Sequence, residues 1–178
     1  MTVFLDLAGA WAVRVSMIAI MLSMTVAMND ALFVSTQQAT AKGNIAAAAE
    51  VISQDLNSAG FNVTGNAFSY IGSDSLWFSG DLNGLGSPET IGYYARYDSV
   101  THLHALYRVV DRENSGRPLL IGSNFTSVTF LYYDYNGVTT ATAANVYSVR
   151  VKLVAQVPGV TQGFTTALND FRVYPANL

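Results

Sequence analysis

The sequence contains no cysteine, so no disulfide, thiolate nucleophile or cysteine-ligated metal site can form. Charge is also scarce: charged residues make up 12 % of the chain, the net charge is −3, and lysine and arginine never form a run. Nucleic-acid-binding domains need a basic surface that neutralises phosphates. These absences exclude a disulfide-stapled scaffold and a thiol enzyme, and they argue against nucleic acid as a partner.

Glycine and proline are both absent between Ala10 and Lys42. Within and just before this stretch, residues 7–28 are almost wholly apolar and carry one charge, Arg14. A helix rises about 1.5 Å per residue, so roughly twenty such residues cross the hydrocarbon core of a bilayer. The pattern therefore predicts a helix of transmembrane length.

The helical pattern continues beyond the apolar run. Apolar residues recur at helical spacing at Ile45, Ala48, Ala49, Ile52 and Leu56. This spacing predicts an amphipathic second half that lies on a folded domain. We expect the helix to end near Ser58 and Ala59, with Gly60 as its C-terminal cap. A helix of roughly fifty residues is about 75 Å long, which exceeds the needs of a bilayer.

From about Gly65 onward the composition changes to short blocks rich in Tyr, Val, Thr and Phe, which predicts an all-β region. The predicted strands are Phe68 to Ile71, Ser75 to Ser79, Thr90 to Tyr97, His102 to Val110, Ser127 to Tyr133, Val146 to Val154 and Phe171 to Tyr174. The clearest strand alternates Tyr147, Val149, Val151 and Leu153 with Ser148, Arg150 and Lys152. The predicted fold class is α+β, with a long helix over residues 1–60 packed on an antiparallel β-sheet head over residues 61–178.

The chain opens with Met1-Thr2-Val3-Phe4-Leu5-Asp6-Leu7. A long helix that is first apolar and then amphipathic, followed by a β head, resembles the type IV pilin superfamily. Mature chains of that family begin with an aromatic residue or Met, then Thr, two apolar residues and an acid at the fifth position. Here the acid is sixth. Either the mature chain begins at Met1 with a displaced acid, or it begins at Thr2, which makes Asp6 the fifth residue.

Short blocks of the head add to this resemblance by their order. The blocks are Leu56 to Phe61, Asp74 to Trp77, Ile91 to Tyr94, Leu106 to Arg108, Pro118 to Leu120, Val128 to Tyr133 and Val146 to Leu153. This order is similar to that of J-type minor pseudopilins of type II secretion and W-type minor pilins. The resemblance implies a structural subunit, not an enzyme, in an extracellular filament on a bacterial cell surface. It also implies a membrane-inserted pool before assembly and a filament assembly machinery as partner.

Asp6 and Arg14 are the charges of the apolar region, and charges inside a bilayer usually mark a function. They are eight residues apart, a rise of about 12 Å, so they cannot pair within one helix. We expect Asp6 to attract the N-terminal amine or Arg14 of a neighbouring subunit and so to set the axial register. The alternative is that Asp6 lies in the headgroup zone while Arg14 extends to the interface.

Small residues along the same helix permit close approach of a second helix, because packing drives helix association in lipid. The predicted helix-packing residues are Gly9, Ala12, Ser16, Ala19 and Ser23. A homo-oligomeric helical filament is the association that we expect from them.

Chemical sites are few. Asp81 and Asn83 resemble the first ligands of a calcium loop, but the closing Glu is missing, so a plain loop is favoured and calcium stays a weak cofactor candidate. His102 and His104 are two apart on a predicted strand and are interpreted as surface histidines, not as half a metal site. No nucleophile motif occurs. We predict no catalytic residue, no metal site and no cofactor.

The competing function is a single-pass membrane-anchored β-domain that binds a ligand and does not polymerise.

Overall fold

The computed structural model describes residues 2–111, 116–158 and 164–178, with side chains from Leu7 onward except at positions 157, 158 and 165. The chain begins as a single helix, α1, Thr2–Asn57, of 56 residues. Its length is about 84 Å at 1.5 Å per residue. One helical stretch, Leu7–Asn57, is long and apolar enough to span a membrane, which is consistent with membrane insertion and with the predicted helix.

Seven strands follow α1 and form one antiparallel sheet. They are β1 Phe68–Ile71, β2 Ser75–Gly80, β3 Glu89–Asp98, β4 Leu103–Val110, β5 Leu119–Tyr133, β6 Ser148–Pro158 and β7 Phe164–Val173. The strand order in the sheet is the order along the chain, so each strand pairs with its neighbours in sequence. The prediction of one long helix and an antiparallel β head, hence of the α+β class, is confirmed.

Several strand boundaries differ from the prediction, including both ends of β6, which spans Ser148–Pro158 instead of Val146 to Val154. β4 begins at Leu103, so His102 lies outside it, and β7 begins seven residues before the predicted Phe171. β5 begins at Leu119 instead of Ser127. The added part of β5 contains a bulge, where Asn124 has a φ of 64° and the pairing register shifts. A bulge interrupts the alternation of side chains on which a strand prediction depends.

The sheet curls around β5, whose 15 residues pair with different strands along their length. β4 pairs with the first half of β5, and β6 pairs with the second half. Beside the second half, the β1–β2 turn takes the place that β4 vacates: the backbone N–H of Phe130 donates to the carbonyl of Ser73 at 2.8 Å. The hydroxyl of Tyr132 donates to the carbonyl of Gly72 at 2.8 Å. A turn three strands away reaches β5 only if the sheet is strongly curved.

The C-terminal end of α1 differs from the prediction that Gly60 caps the helix. The helix ends at Asn57, and backbone N–H groups of Ser58 and Ala59 donate to the carbonyls of Asp55 and Leu56. Gly60 has a φ of 82°, but its N–H donates to Ser79 in β2 at 3.0 Å. The predicted role of Gly60 as helix cap is therefore wrong. A Cβ at this position would lie 2.3 Å from the carbonyl oxygen of Asn177, so the glycine permits the C-terminal segment to approach.

The core lies between α1 and one face of the sheet. Ile52 and Leu56 of α1 are fully buried there, against sheet residues that include Phe130, Val151 and Leu153. The predicted alternation in β6 is confirmed from Val149 to Leu153, with Arg150 and Lys152 exposed. Ser148 departs from it because it is buried beneath Arg172, whose guanidinium donates to the Ser148 hydroxyl at 2.6 and 2.9 Å. Tyr147 is correspondingly exposed.

Candidate functional site

The first part of α1 stands free of the sheet, except near its end, where Gln37 and Thr40 line a small cavity beside Asn124 of β5. We call residues 7–40 the protruding half and residues 41–57 the docked half. Large apolar side chains of the protruding half are exposed in every direction around the axis. They include Leu7, Trp11, Val13, Met17, Ile18, Ile20, Met21, Leu22, Met24, Val26 and Met28, with Trp11 69 % exposed. A helix that is apolar all round requires lipid or other helices as its surroundings.

Polar groups inside this apolar stretch are satisfied by the helix itself. The hydroxyl of Ser16 donates to the carbonyl of Ala12, and that of Ser23 donates to the carbonyl of Ile20, both at 2.8 Å. An unpaired hydroxyl is costly in hydrocarbon, whereas a hydroxyl bonded to its own helix is tolerated. The serines can therefore face lipid or a second helix without an unsatisfied donor.

The predicted helix-packing residues share one side of α1. Gly9, Ala12, Ser16, Ala19 and Ser23 are spaced alternately by three and four residues, which keeps them on one face of a helix. At about 100° per residue, Arg14 lies on the opposite side of the helix from this face. No hydrogen bond or ion pair joins Arg14 to another described residue. The side chain of Asp6 lies outside the described residues, so its pairing with a neighbouring subunit stays a prediction.

Between the apolar run and the docked half lies a helical neck, which we define as residues 29–40. It is about 18 Å long, and none of its side chains is buried. Leu32 and Phe33 are 55 % and 50 % exposed. The apolar run of residues 7–28 already spans about 33 Å, the thickness of a bilayer core. A bilayer that covered this apolar run would leave the neck outside the lipid, with Leu32 and Phe33 uncovered.

A buried ion pair joins the docked half to the sheet. Asp55 projects from the last turns of α1 and is 5 % exposed. The Nε of Arg108 in β4 donates to its Oδ2 at 2.6 Å, and the Nη2 donates to Oδ1 at 3.2 Å. The hydroxyl of Tyr93 in β3 also donates to Oδ2. We call these three residues the anchor.

The anchor determines how α1 sits on the sheet. A buried carboxylate is stable only when its oxygens receive hydrogen bonds and a counter-charge, so α1 can neither roll nor slide without breaking them. Burial, together with the negative charge of Asp55, raises the pKa of Tyr93 well above its usual value. Tyr93 therefore remains a neutral donor. This site was not predicted from the sequence, although an acid at position 55, within the apolar stripe that includes Ile52 and Leu56, was a usable signal.

The predicted calcium residues lie in one loop after β2. Asp81 is buried; its Oδ2 accepts from the amide of Asn62 at 2.7 Å and from the backbone N–H of Gly86 at 2.7 Å. Its Oδ1 accepts from the N–H of Leu85 at 3.2 Å. Burial raises the pKa of Asp81, but the hydrogen bonds from Asn62 and the loop backbone outweigh it, and the pKa lies below its usual value.

Asn83 also serves this loop. Its side-chain oxygen accepts from the N–H of Leu85 at 2.9 Å, while its amide donates to the buried carboxylate of Glu89. Among the residues that the structure describes, no group of three or more His, Asp or Glu is placed to hold a metal ion. The described partners of Asp81 and Asn83 are N–H donors that order the loop, and calcium binding here stays a prediction.

The prediction that the two histidines lie on one strand is wrong, so they do not share a strand face. His102 precedes β4 in a left-handed conformation with a φ of 58°, and only His104 lies in the strand. Both contact Tyr97 of β3: its hydroxyl is 2.8 Å from Nδ1 of His102, and its ring centroid is 5.3 Å from that of His104. His102 lies in the turn between β3 and β4, because β4 begins at Leu103, one residue later than predicted.

The protruding half of α1 thus forms a surface for association with apolar partners. Between Leu7 and Asn29 the only charged side chain is Arg14. Lipid tails and apolar helices are the partners that such a surface accepts. Comparison of the chain with protein-family models and with curated proteins finds no match in either.

Proposed function

We propose that the chain is a structural subunit of an extracellular type IV pilus-like or pseudopilus filament. Its protruding half holds the subunit in the membrane before assembly and then forms the core of the fibre. Its sheet forms the outer coat. In this proposal, the chain has a pilin-like architecture, assembles with copies of itself and acts at the cell surface.

The continuous helix is the observation that carries this proposal. A transmembrane span needs about twenty residues, yet α1 continues without a break through the neck and into the docked half. The anchor holds this rod rigidly to the sheet through Asp55. A bundle of such rods buries the neck and the apolar run together. The family resemblance of the sequence supports the same conclusion.

The competing function leaves the neck uncovered. A single-pass membrane-anchored binding module would use the apolar run as its span and leave Leu32 and Phe33 in water. Apolar side chains that stay in water contribute no hydrophobic stabilisation in that arrangement. The filament covers them, and this difference makes the neck the place to test the proposal.

The first experiment is to shear the surface of cells that make the chain, to image the material by electron microscopy, and to identify it by mass spectrometry with its N-terminus. Fibres composed of this chain support the proposal, and the N-terminal mass distinguishes Met1 from Thr2 as the first residue. A chain recovered only from membranes, under conditions in which the cells assemble filaments, contradicts its role as a main subunit.

Labelling of the neck distinguishes the two functions directly, because the native chain has no cysteine. A Ser35→Cys variant places one nearly isosteric thiol in the neck, and a Val100→Cys variant places one on the β3–β4 turn, where Val100 is 85 % exposed. In sheared material, we expect maleimide to label position 100 and to spare position 35. In the membrane fraction, both should react. Equal labelling of position 35 in both fractions contradicts a buried neck.

A further inference from the structure

A groove lies at the end of the sheet that is farthest from the protruding half. It is formed by the segment that follows α1, by the β5–β6 connection and by the C-terminal residues, and its volume is about 470 Å³. β5 ends here at Tyr133, and β6 begins here at Ser148. Sites for small ligands are typically about 300 to 1,000 Å³ in volume. We call this the distal groove.

Tyrosines form one side of the distal groove and continue past it. Tyr135 is 81 % exposed, and its ring meets that of Tyr147 edge-on, with centroids 5.2 Å apart. Tyr147 in turn meets Tyr174 at 6.2 Å. Arg172 lies over the rings of Tyr174 and Tyr133, 5.0 and 4.0 Å from their centroids. The ring contacts link the three tyrosines into a row, and most of the Tyr135 side chain is left to solvent.

A tight turn presents Tyr135. The backbone N–H of Asp134 donates to Val138, the N–H of Gly137 donates to Asp134, and the N–H of Val138 donates to Oδ1 of Asp134 at 2.8 Å. Gly137 has a φ of 77°, which the turn requires and which glycine adopts without strain. The turn therefore supports an exposed aromatic side chain on an ordered backbone, so binding there costs little ordering entropy.

Residues with side-chain amides also line the groove. The side chains of Asn66, Asn136 and Asn145 line it, and none makes a hydrogen bond to another described residue. Oδ2 of Asp134 has no donor among the described residues either. Each amide offers donors and an acceptor, and the carboxylate offers acceptors alone. The groove thus presents both kinds of hydrogen-bonding group beside an aromatic face.

We infer that the distal groove binds a neutral saccharide, with a sugar ring against Tyr135 and its hydroxyls on Asn66, Asn136, Asn145 and Asp134. The C–H face of a sugar ring is apolar and packs on an aromatic ring, while its hydroxyls need donors and acceptors at once. No Lys or Arg is among the described residues that line the groove, so an anionic sugar or a phosphate lacks a counter-charge. The inference does not depend on filament assembly, since one subunit contains the whole site.

The test uses the full chain in lipid nanodiscs, because alkyl-glycoside detergents would compete for the groove. The probe is an array of immobilised neutral oligosaccharides that end in hexose or N-acetylhexosamine, with sialylated and sulfated glycans and a tyrosine-rich peptide on the same array. We expect binding to at least one neutral glycan, inhibited by the free sugar at a concentration on the order of 0.1 to 1 mM, as for a weak ligand. Tyr135→Ala should reduce this binding at least tenfold.

Tyr97→Ala is the matched control, since Tyr97 is an exposed tyrosine on β3 at the other end of the sheet. It should bind the glycan as the native chain does. Tyr135 is so exposed that its loss should leave the fold intact, and thermal unfolding of both variants checks this. Absence of neutral-glycan binding, a preference for the anionic glycans or the peptide, or equal binding by Tyr135→Ala would each overturn the inference.

Discussion

The two halves of α1 belong to one helix, but their apolar side chains find partners in different ways. In the docked half, one stripe that includes Ile45, Ile52 and Leu56 is buried against the sheet, and the other side is polar or small. In the protruding half, the apolar side chains surround the axis and stay exposed. The docked half finds its partner within the chain, whereas the protruding half needs a partner outside it.

This comparison shows why amphipathicity and uniform apolarity have different consequences. A striped helix completes a core and stops there, because its second face is stable in water. A helix that is apolar all round has no stable second face, so lipid or neighbouring helices must supply one. Since α1 is continuous and the anchor joins its docked half to the sheet, an event that packs the protruding halves of several chains also positions their sheets.

The largest effect is expected at Asp6, on the side of the comparison that needs an external partner. Asp6→Lys should abolish filament assembly and leave membrane insertion intact, because like charges would then face the N-terminal amine or Arg14 of a neighbour. Filament yield in the sheared fraction and chain content of the membrane fraction measure the two effects. Asp6→Glu keeps the charge and serves as control. Normal filaments from Asp6→Lys would contradict the hypothesis that Asp6 pairs with a neighbouring subunit.

Removal of the anchor should release the docked half. Asp55→Ala leaves Arg108 and Tyr93 without their carboxylate, and breaking a buried ion pair typically lowers the free energy of unfolding by about 3 to 5 kcal/mol. Urea unfolding followed by the fluorescence of Trp77, in a Trp11→Phe background, measures it. Glu50→Ala removes an exposed acid from the same helix and should change the free energy by less than about 0.5 kcal/mol. Similar losses in both variants would show that the anchor is not special.

A matched pair of isoleucines tests the comparison itself. Ile52 is fully buried, whereas Ile18 is 58 % exposed in the protruding half. Ile52→Ala should lower the free energy of unfolding of the sheet by about 2 to 5 kcal/mol, since it leaves a cavity. Ile18→Ala should change it by less than about 0.5 kcal/mol. The same urea titration measures both. Equal destabilisation by the two substitutions would mean that the protruding half contributes to the folded head.

The smallest effect concerns pH. The pKa of Asp81 lies below its usual value in the folded chain, so the unfolded chain takes up a proton first as the pH falls. The resulting stabilisation is present above pH of about 4 and is lost as the pH drops further, through the lowered folded pKa. Asp81→Asn should flatten this part of the stability profile without affecting α1. Melting temperatures between pH 3 and 7 provide the measurement, and an unchanged slope would contradict it.

Much of the fold followed from periodicity. The apolar run, the stripe from Ile45 to Leu56 and the alternation from Val149 to Leu153 each correspond to an observed element, because a period of 3.6 or 2 residues directly records which side is buried. The first half of β5 did not follow, since the bulge at Asn124 interrupts its period. The role of Gly60 was misassigned because its true neighbour, Asn177, is more than a hundred residues away.

The candidate sites divide in the same way. The placement of Arg14 and of the small residues on opposite faces of the protruding half was predictable, because it depends only on spacing along one helix. The anchor was not predicted, because it joins Asp55 to Tyr93 and Arg108 across 38 and 53 residues. The distal groove likewise combines three segments that are remote in sequence.

The sequence by itself determined that this chain has one long helix of transmembrane length followed by a β region, since local patterns of apolar residues suffice for both. Only the tertiary structure decided where the helix is held, how the sheet curls and which polar side chains meet. Those features depend on contacts between residues far apart in the chain, and a contact of that kind leaves no period for a sequence to display.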